Sequence, residues 1–224
     1  MIQDLLISVS VDTNVFIHLY KSYTEDLLFD IFQHIYVHEY IIETELKKNA
    51  LDVYEKVKEE IKKGRIILFT NKDIVDRGLI EIFNDNYQYY LTLFARDRGE
   101  AYAIALATAL GIPSFVSDDI KNGGPHETLV KEYIEDVVPF AFYELLFLKY
   151  LKDDISLEDF EGEFNKIAKT MVIPMKFDSK VKITIGRFLS KNATNRDKEF
   201  LKSFVKINNI NIRDRIDKLK EYIW

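Results

Sequence analysis

The chain contains no cysteine, which excludes disulfide cross-links and thiolate metal centres. Glycine and proline are scarce, eight and four in 224 residues, too few for a disordered chain or an all-β chain dense in turns. Long apolar runs are also missing. The run at 5–11 is too short for a secretory leader, and Asp4 stands where such a leader carries basic residues. The run at 137–148 is interrupted by Glu144 and falls short of the roughly 20 residues a membrane-spanning helix needs. These absences predict a soluble, cytoplasmic protein with no membrane partner. The four histidines are His18, His34, His38 and His126, and with no cysteine there is no CxxH ligand pair. No GxxxxGK[ST] loop is present to cradle a nucleotide phosphate, and no Ser-His-Asp or Cys-His arrangement can be read.

What is present is a large stock of core residues. Apolar residues make up 47% of the chain, with 13 Tyr and 16 Phe, enough for one large domain or an ordinary domain with an appendage. The net charge of −6 is unevenly spread. Residues 1–148 hold 14 Lys and Arg against 25 Asp and Glu, a net −11; residues 149–224 hold 17 against 12, a net +5. An acidic front and a basic tail fit a metal site beside a polyanion-binding surface. An ordinary solvated helical surface fits the same figures.

Apolar and β-branched runs at 5–11, 35–38, 65–69, 113–117 and 137–138 read as short strands. Helical spacing predicts helices at 14–20 and 25–34, a long one at 41–63 stopped by Gly64, and another at 73–97 with a break at Asn84-Asp85-Asn86. The alanine-rich segment 99–110, followed by Gly111, is the clearest helix. Residues 122–125 read as a loop and 127–134 as a further helix. Strands alternating with helices imply parallel crossovers and an α/β sandwich. From about residue 140 only helical patterns recur, so the expected division is 1–140 and a helical region at 141–224.

Four acids then stand out: Asp12 after the first strand, Glu45 on the helix expected over 41–63, Glu100 at a helix start, and Asp119, with Asp118, after the fourth strand. In parallel sheets, sites form at the carboxyl ends of strands. That gives Asp12 and Asp119 a reason to meet. A carboxylate-only site suits hard divalent cations, Mg²⁺ or Mn²⁺, which prefer oxygen ligands. Such a cation activates water and stabilises a phosphodiester transition state. Thr13, Asn14 and Ser117 are candidate hydrogen-bonding supports for these ligands, and Arg96 and Arg98 candidate phosphate contacts. Each acid also has a plainer role: Asp12 as a helix cap, Glu45 as a solvated glutamate in competition with Glu39 and Glu43, Glu100 as a partner of the helix dipole, and Asp118 or Asp119 as a cap.

The segments Val11-Asp12-Thr13-Asn14-Val15-Phe16-Ile17, Ile41-Ile42-Glu43-Thr44-Glu45-Leu46, Gly99-Glu100-Ala101-Tyr102-Ala103-Ile104-Ala105-Leu106-Ala107 and Phe115-Val116-Ser117-Asp118-Asp119, taken in that order, resemble the PIN-domain family. The resemblance spans about residues 5–138. It implies a three-layer α/β sandwich with a short parallel sheet, extended here by a helical C-terminal region. It also implies a metal-dependent nuclease, a ribonuclease above all, with Mg²⁺ or Mn²⁺ at Asp12, Glu45, Glu100 and Asp119. The implied partners are nucleic acid, RNA ahead of DNA, and a protein inhibitor of the kind that restrains toxins of this fold; apolar C-terminal helices add a homodimer. A catalytically weak nucleic-acid-binding or assembly module on the same fold is the alternative, and a phosphohydrolase acting on small substrates is a third reading. The tail interleaves Lys180, Lys182, Arg187, Lys191, Arg196, Lys198, Lys202 and Lys206 with Phe177, Phe188, Phe200 and Phe204. The expectation is that the rings face the core and the cations face solvent, where they could meet a nucleic-acid backbone.

Overall fold

The computed structural model describes residues 6–93, 97–118 and 137–223. They form two units that meet in sequence between Ala141 and Phe142. Among the described residues, no helix is long and apolar enough to cross a membrane.

The first unit is α/β. Its strands are β1 (Ser8–Val11), β2 (His34–His38), β3 (Ile66–Phe69), β4 (Ser114–Val116) and β5 (Val138–Phe140). Its helices are α1 (Thr13–Ser22), α2 (Asp26–Ile31), α3 (Tyr40–Leu46, running on through Lys47–Asn49), α4 (Leu51–Lys62), α5 (Asn71–Asp76), α6 (Ile80–Leu93) and α7 (Arg98–Leu110). The five strands form one sheet of order β3-β2-β1-β4-β5, parallel throughout. The chain builds from β1 through β2 to β3 on one side, then returns to add β4 and β5 on the other. The order therefore reverses between β1 and β4, the position where open parallel sheets place their ligands.

Successive residues of a strand point to opposite faces. Val9, Ser10 and Val11 in β1 and Ser114, Phe115 and Val116 in β4 are all buried, so both faces of the two central strands are covered, as parallel sheets require. The Ser10 hydroxyl donates to the Ala103 carbonyl of α7 at 2.7 Å, which fastens α7 to β1. Alanines at 101, 103, 105 and 107 are buried; their small side chains suit close approach to the sheet.

The strands expected from sequence are found; the helix expected over 25–34 stops at Ile31 and leaves His34 to β2, and two other helices depart further from expectation. The segment expected as one helix over 41–63 is interrupted at Ala50, which adopts φ −156°. Its first part is wound wide, with the Lys47 N–H bonding to the Ile42 carbonyl, five residues back. That winding brings Ile41 and Leu46, five apart, onto one buried face. The helix expected over 73–97 breaks at Gly78, not at Asn84-Asp85-Asn86. Gly78 takes a left-handed φ of +70°, and the Leu79 N–H closes onto the Ile74 carbonyl at 3.0 Å. The Asn/Asp run stays helical inside α6, where the Asn86 amide donates to the Ile82 carbonyl at 2.7 Å. The loop and helix expected over 122–134 lie outside the described residues.

The second unit comprises α8 (Phe142–Leu151), α9 (Leu157–Ala168), α10 (Phe177–Leu189), α11 (Asn195–Ile207) and α12 (Ile212–Ile223), with no strand among its described residues. Helix α8 is buried on nearly every side, the mark of a central helix. Phe160, Phe164, Phe177 and Phe188 from the surrounding helices are buried as expected. The expected row of solvated cations needs one correction. Arg187 is not in solvent: its side chain is 6% exposed, and it bridges Glu144 at 2.7 Å and Asp197 at 3.0 Å. The cause is helical phase, because Val181, Thr184 and Phe188 bury the same side of α10. Burial alone would lower the Arg187 pKa; the Glu144 and Asp197 carboxylates outweigh it and hold the guanidinium charged.

Candidate functional site

The carboxyl edge of β1 and β4 carries two buried acids. Asp12 follows β1 directly. Its backbone N–H donates across the strand boundary to the Val116 carbonyl at 3.1 Å, and the residue is 3% exposed. It occupies the N-cap position of α1, yet its carboxylate makes no capping hydrogen bond to that described first turn. The plain capping role therefore does not account for this aspartate. Since Val11 pairs with Val116, Asp12 lies opposite Ser117, with Asp118 next in line. Ser117 continues the ladder, its N–H donating to Phe140 at 3.1 Å, and Asp118 is 4% exposed.

Glu45 reaches the same edge from α3. The Thr13 hydroxyl, one residue past Asp12, donates to the Glu45 carboxylate. The same carboxylate lies against Gly99: a Cβ built there would fall 2.9 Å from Glu45 Cδ and 3.0 Å from Oε1. Gly99 precedes Glu100, which is 2% exposed in the first turn of α7. Three of the four sequence-selected acids thus belong to one chain of contacts: Asp12–Thr13, then Glu45, then Gly99–Glu100. Asp97 supplies the cap for α7, its carboxylate accepting the Glu100 N–H at 3.1 Å.

The competing glutamates on α3 are engaged elsewhere. Glu43 bonds Lys58 at 2.8 Å and the Tyr54 hydroxyl at 3.0 Å, and the Lys58 bond lowers its pKa. Glu39 accepts the Asn71 N–H at 2.8 Å. Asn14 is half-buried in α1, and Arg98 is exposed at the start of α7. Asp119 and Arg96 lie outside the described residues. Among the described residues, no group of three or more Asp, Glu or His is arranged to hold a metal ion.

Sequence reading missed two features of this edge. One is Gly99, whose missing side chain makes room for Glu45; a glycine opening an alanine-rich helix just before the acid was the available signal. The other is an aromatic cluster at the end of β2, formed by His38, Tyr40, Phe83, Tyr87 and Tyr102. These residues are too scattered along the chain to give a signal. Within it His38 is fully buried, and burial drives its pKa down to about 4 against an upward pull from Asn71.

Comparison with protein-family models, curated proteins and solved structures finds no match.

Proposed function

We propose that this chain is a metal-dependent nuclease of the PIN type, cleaving phosphodiesters of RNA ahead of DNA. The observation that carries the reading is the contact chain in which Thr13, beside Asp12, and Gly99, beside Glu100, both touch the Glu45 carboxylate. Segments distant in sequence converge on one acid at the sheet's switch point. The five-stranded parallel sheet supports the α/β sandwich that the resemblance implies.

The donor set is all oxygen, the chemistry that hard divalent cations prefer. Asp12, Glu45, Glu100 and Asp119, with Asp118, would hold Mg²⁺ or Mn²⁺. A cation bound there supplies a water of lowered pKa and offsets charge on the phosphate. The protein's share of the work is positioning. Asp12 and Asp118 are buried just past the ends of β1 and β4, where the sheet backbone positions them, the Thr13 hydroxyl fixes the Glu45 carboxylate, and Asp97 caps α7. Asn14 and Ser117 would support neighbouring ligands. Arg98, and Arg96 before it, would meet substrate phosphates. Expected partners are a nucleic-acid strand, a second copy of the chain and a protein inhibitor.

A second reading is a catalytically weak nucleic-acid-binding or assembly module on the same fold. Incubating labelled single-stranded RNA and DNA with Mn²⁺, Mg²⁺ or EDTA separates the two. Cleavage that needs the metal supports the nuclease, and binding without cleavage under every condition supports the module.

A further inference from the structure

The aromatic cluster runs from the core to the surface. At its inner end His38, the last residue of β2, stacks on Phe83 of α6 with ring centres 5.3 Å apart and planes 14° apart. Both rings are buried. Tyr102 of α7 stacks on His38 at 4.6 Å and 25°. Tyr40, opening α3, stacks on Tyr102 at 4.4 Å and 18°, and Tyr87 of α6 lies against it at 4.3 Å and 39°. Tyr40, Tyr87 and Tyr102 are each only half-buried.

This outer end lies along the acidic edge. Strand β2 is the neighbour of β1, so Tyr40 follows the carboxyl end of β2 much as Asp12 follows that of β1. Tyr102 is three residues past Gly99, which lies against Glu45, so the two share a face of α7, and Tyr40 shares α3 with Glu45. The turn that carries Tyr40 is fixed, because the Tyr40 N–H donates to His38 Nδ1 at 3.1 Å. Burial raises the Tyr102 phenol above its ordinary pKa while Arg98 pulls it the other way, so the ring stays neutral beside an exposed cation.

We infer that Tyr40, Tyr87 and Tyr102 form a base-stacking subsite that takes an unpaired nucleobase of a single strand running past the acidic edge. The inference rests on the reading of that edge as a nucleic-acid site. A pre-stacked, rigid tyrosine column offers an aromatic face at little entropic cost, and every nucleobase has a face to match. A duplex keeps its bases stacked on each other and has none to offer, so the subsite selects single strands.

The test is binding of a single-stranded RNA carrying the fluorescent base 2-aminopurine, in EDTA so that no metal-dependent cleavage intervenes. Wild-type protein should quench the base and prefer the single strand to its duplex. Tyr40→Ala with Tyr87→Ala should abolish the quenching and weaken binding about tenfold or more, while Tyr40→Phe with Tyr87→Phe should keep both, since stacking needs the ring and not the hydroxyl. Alanine variants that bind and quench like wild type, phenylalanine variants as impaired as alanine, or equal affinity for duplex would each overturn the inference. Photocrosslinking of wild-type protein to a strand containing 4-thiouridine covers the case in which the alanine variants do not fold: crosslinks at Tyr40 or Tyr87 support the subsite, and crosslinks confined to other residues refute it. A strand that is bound and quenched but never cut with any metal would refute the nuclease reading and leave this one standing.

Discussion

Replacing Gly99 with alanine separates the stability of α7 from the position of Glu45. Gly99 is buried in the first turn of the helix, where alanine ordinarily gains about 0.5–1 kcal/mol over glycine. Its new methyl, however, would stand 2.9 Å from Glu45 Cδ and 3.0 Å from Oε1. The helix is fastened to the sheet through Ser10 and Ala103, so the flexible carboxylate is the group that yields. As it swings away it gives up the Thr13 hydroxyl, a bond to a charged acceptor whose net loss costs about 1.5–3 kcal/mol. The helix gain offsets part of this, leaving a net loss of roughly 1–2 kcal/mol. The unfolding temperature of G99A should therefore fall by a few degrees. Catalysis has no such compensation. Losing the orientation of a metal ligand typically costs roughly 10–100-fold in metal affinity or activity, so Mn²⁺-dependent cleavage should fall by that factor. Adding Glu45→Asp, one methylene shorter, should recover part of it. Wild-type cleavage by G99A would refute the argument that Glu45 acts from this position. A stability loss of several kcal/mol would show that the methyl meets something rigid instead.

Two further predictions concern buried charge. His38, with an ordinary pKa near 6.5, titrates at about 4 in the fold. The unfolded chain therefore binds its proton first, and stability is lost as pH falls from about 6.5 to 4, by roughly 3 kcal/mol in total. His38→Phe keeps the ring between Phe83 and Tyr102 but cannot take the proton, so denaturant titrations at pH 7 and pH 4 should show a smaller acid loss in the variant; equal losses would rule out His38 as the source. Arg187→Ala leaves Glu144 and Asp197 buried without their shared cation and should cost about 3–5 kcal/mol. Urea unfolding that shows a loss under about 1 kcal/mol would mean the pair is solvated.

Local signals carried much of the first unit. The five short strands announced themselves as apolar runs between helical segments, and Gly111 ended α7 in the left-handed conformation expected of it. Helix ends set by tertiary packing were less legible. The wide winding of α3 follows from the need to bury Ile41 and Leu46 together, a demand that exists only once the sheet is there. Asn84-Asp85-Asn86 resembled a break because such residues favour turns, but α6 presents Asn84 and Asp85 to solvent and keeps its ladder. The site divides the same way. The acids could be picked out singly from strand ends and helix starts, whereas the Thr13–Glu45–Gly99 contact joins positions 32 and 54 residues apart. Helical spacing gave the phenylalanines of α10 and α11 their inward direction. It gave no warning that Arg187 would turn inward with them, because its partner Glu144 lies 43 residues upstream.

The most direct test of the central claim is single-turnover cleavage of labelled single-stranded RNA in Mn²⁺ by wild-type protein and by Asp12→Asn, prepared identically. Asparagine keeps the shape of a residue that is 3% exposed and makes no capping bond to the described turn, so the fold should survive while the anionic ligand is lost. Wild-type protein should cleave, EDTA should abolish the cleavage, and D12N should show only background. Undiminished cleavage by D12N would contradict the assignment of Asp12 as a metal ligand.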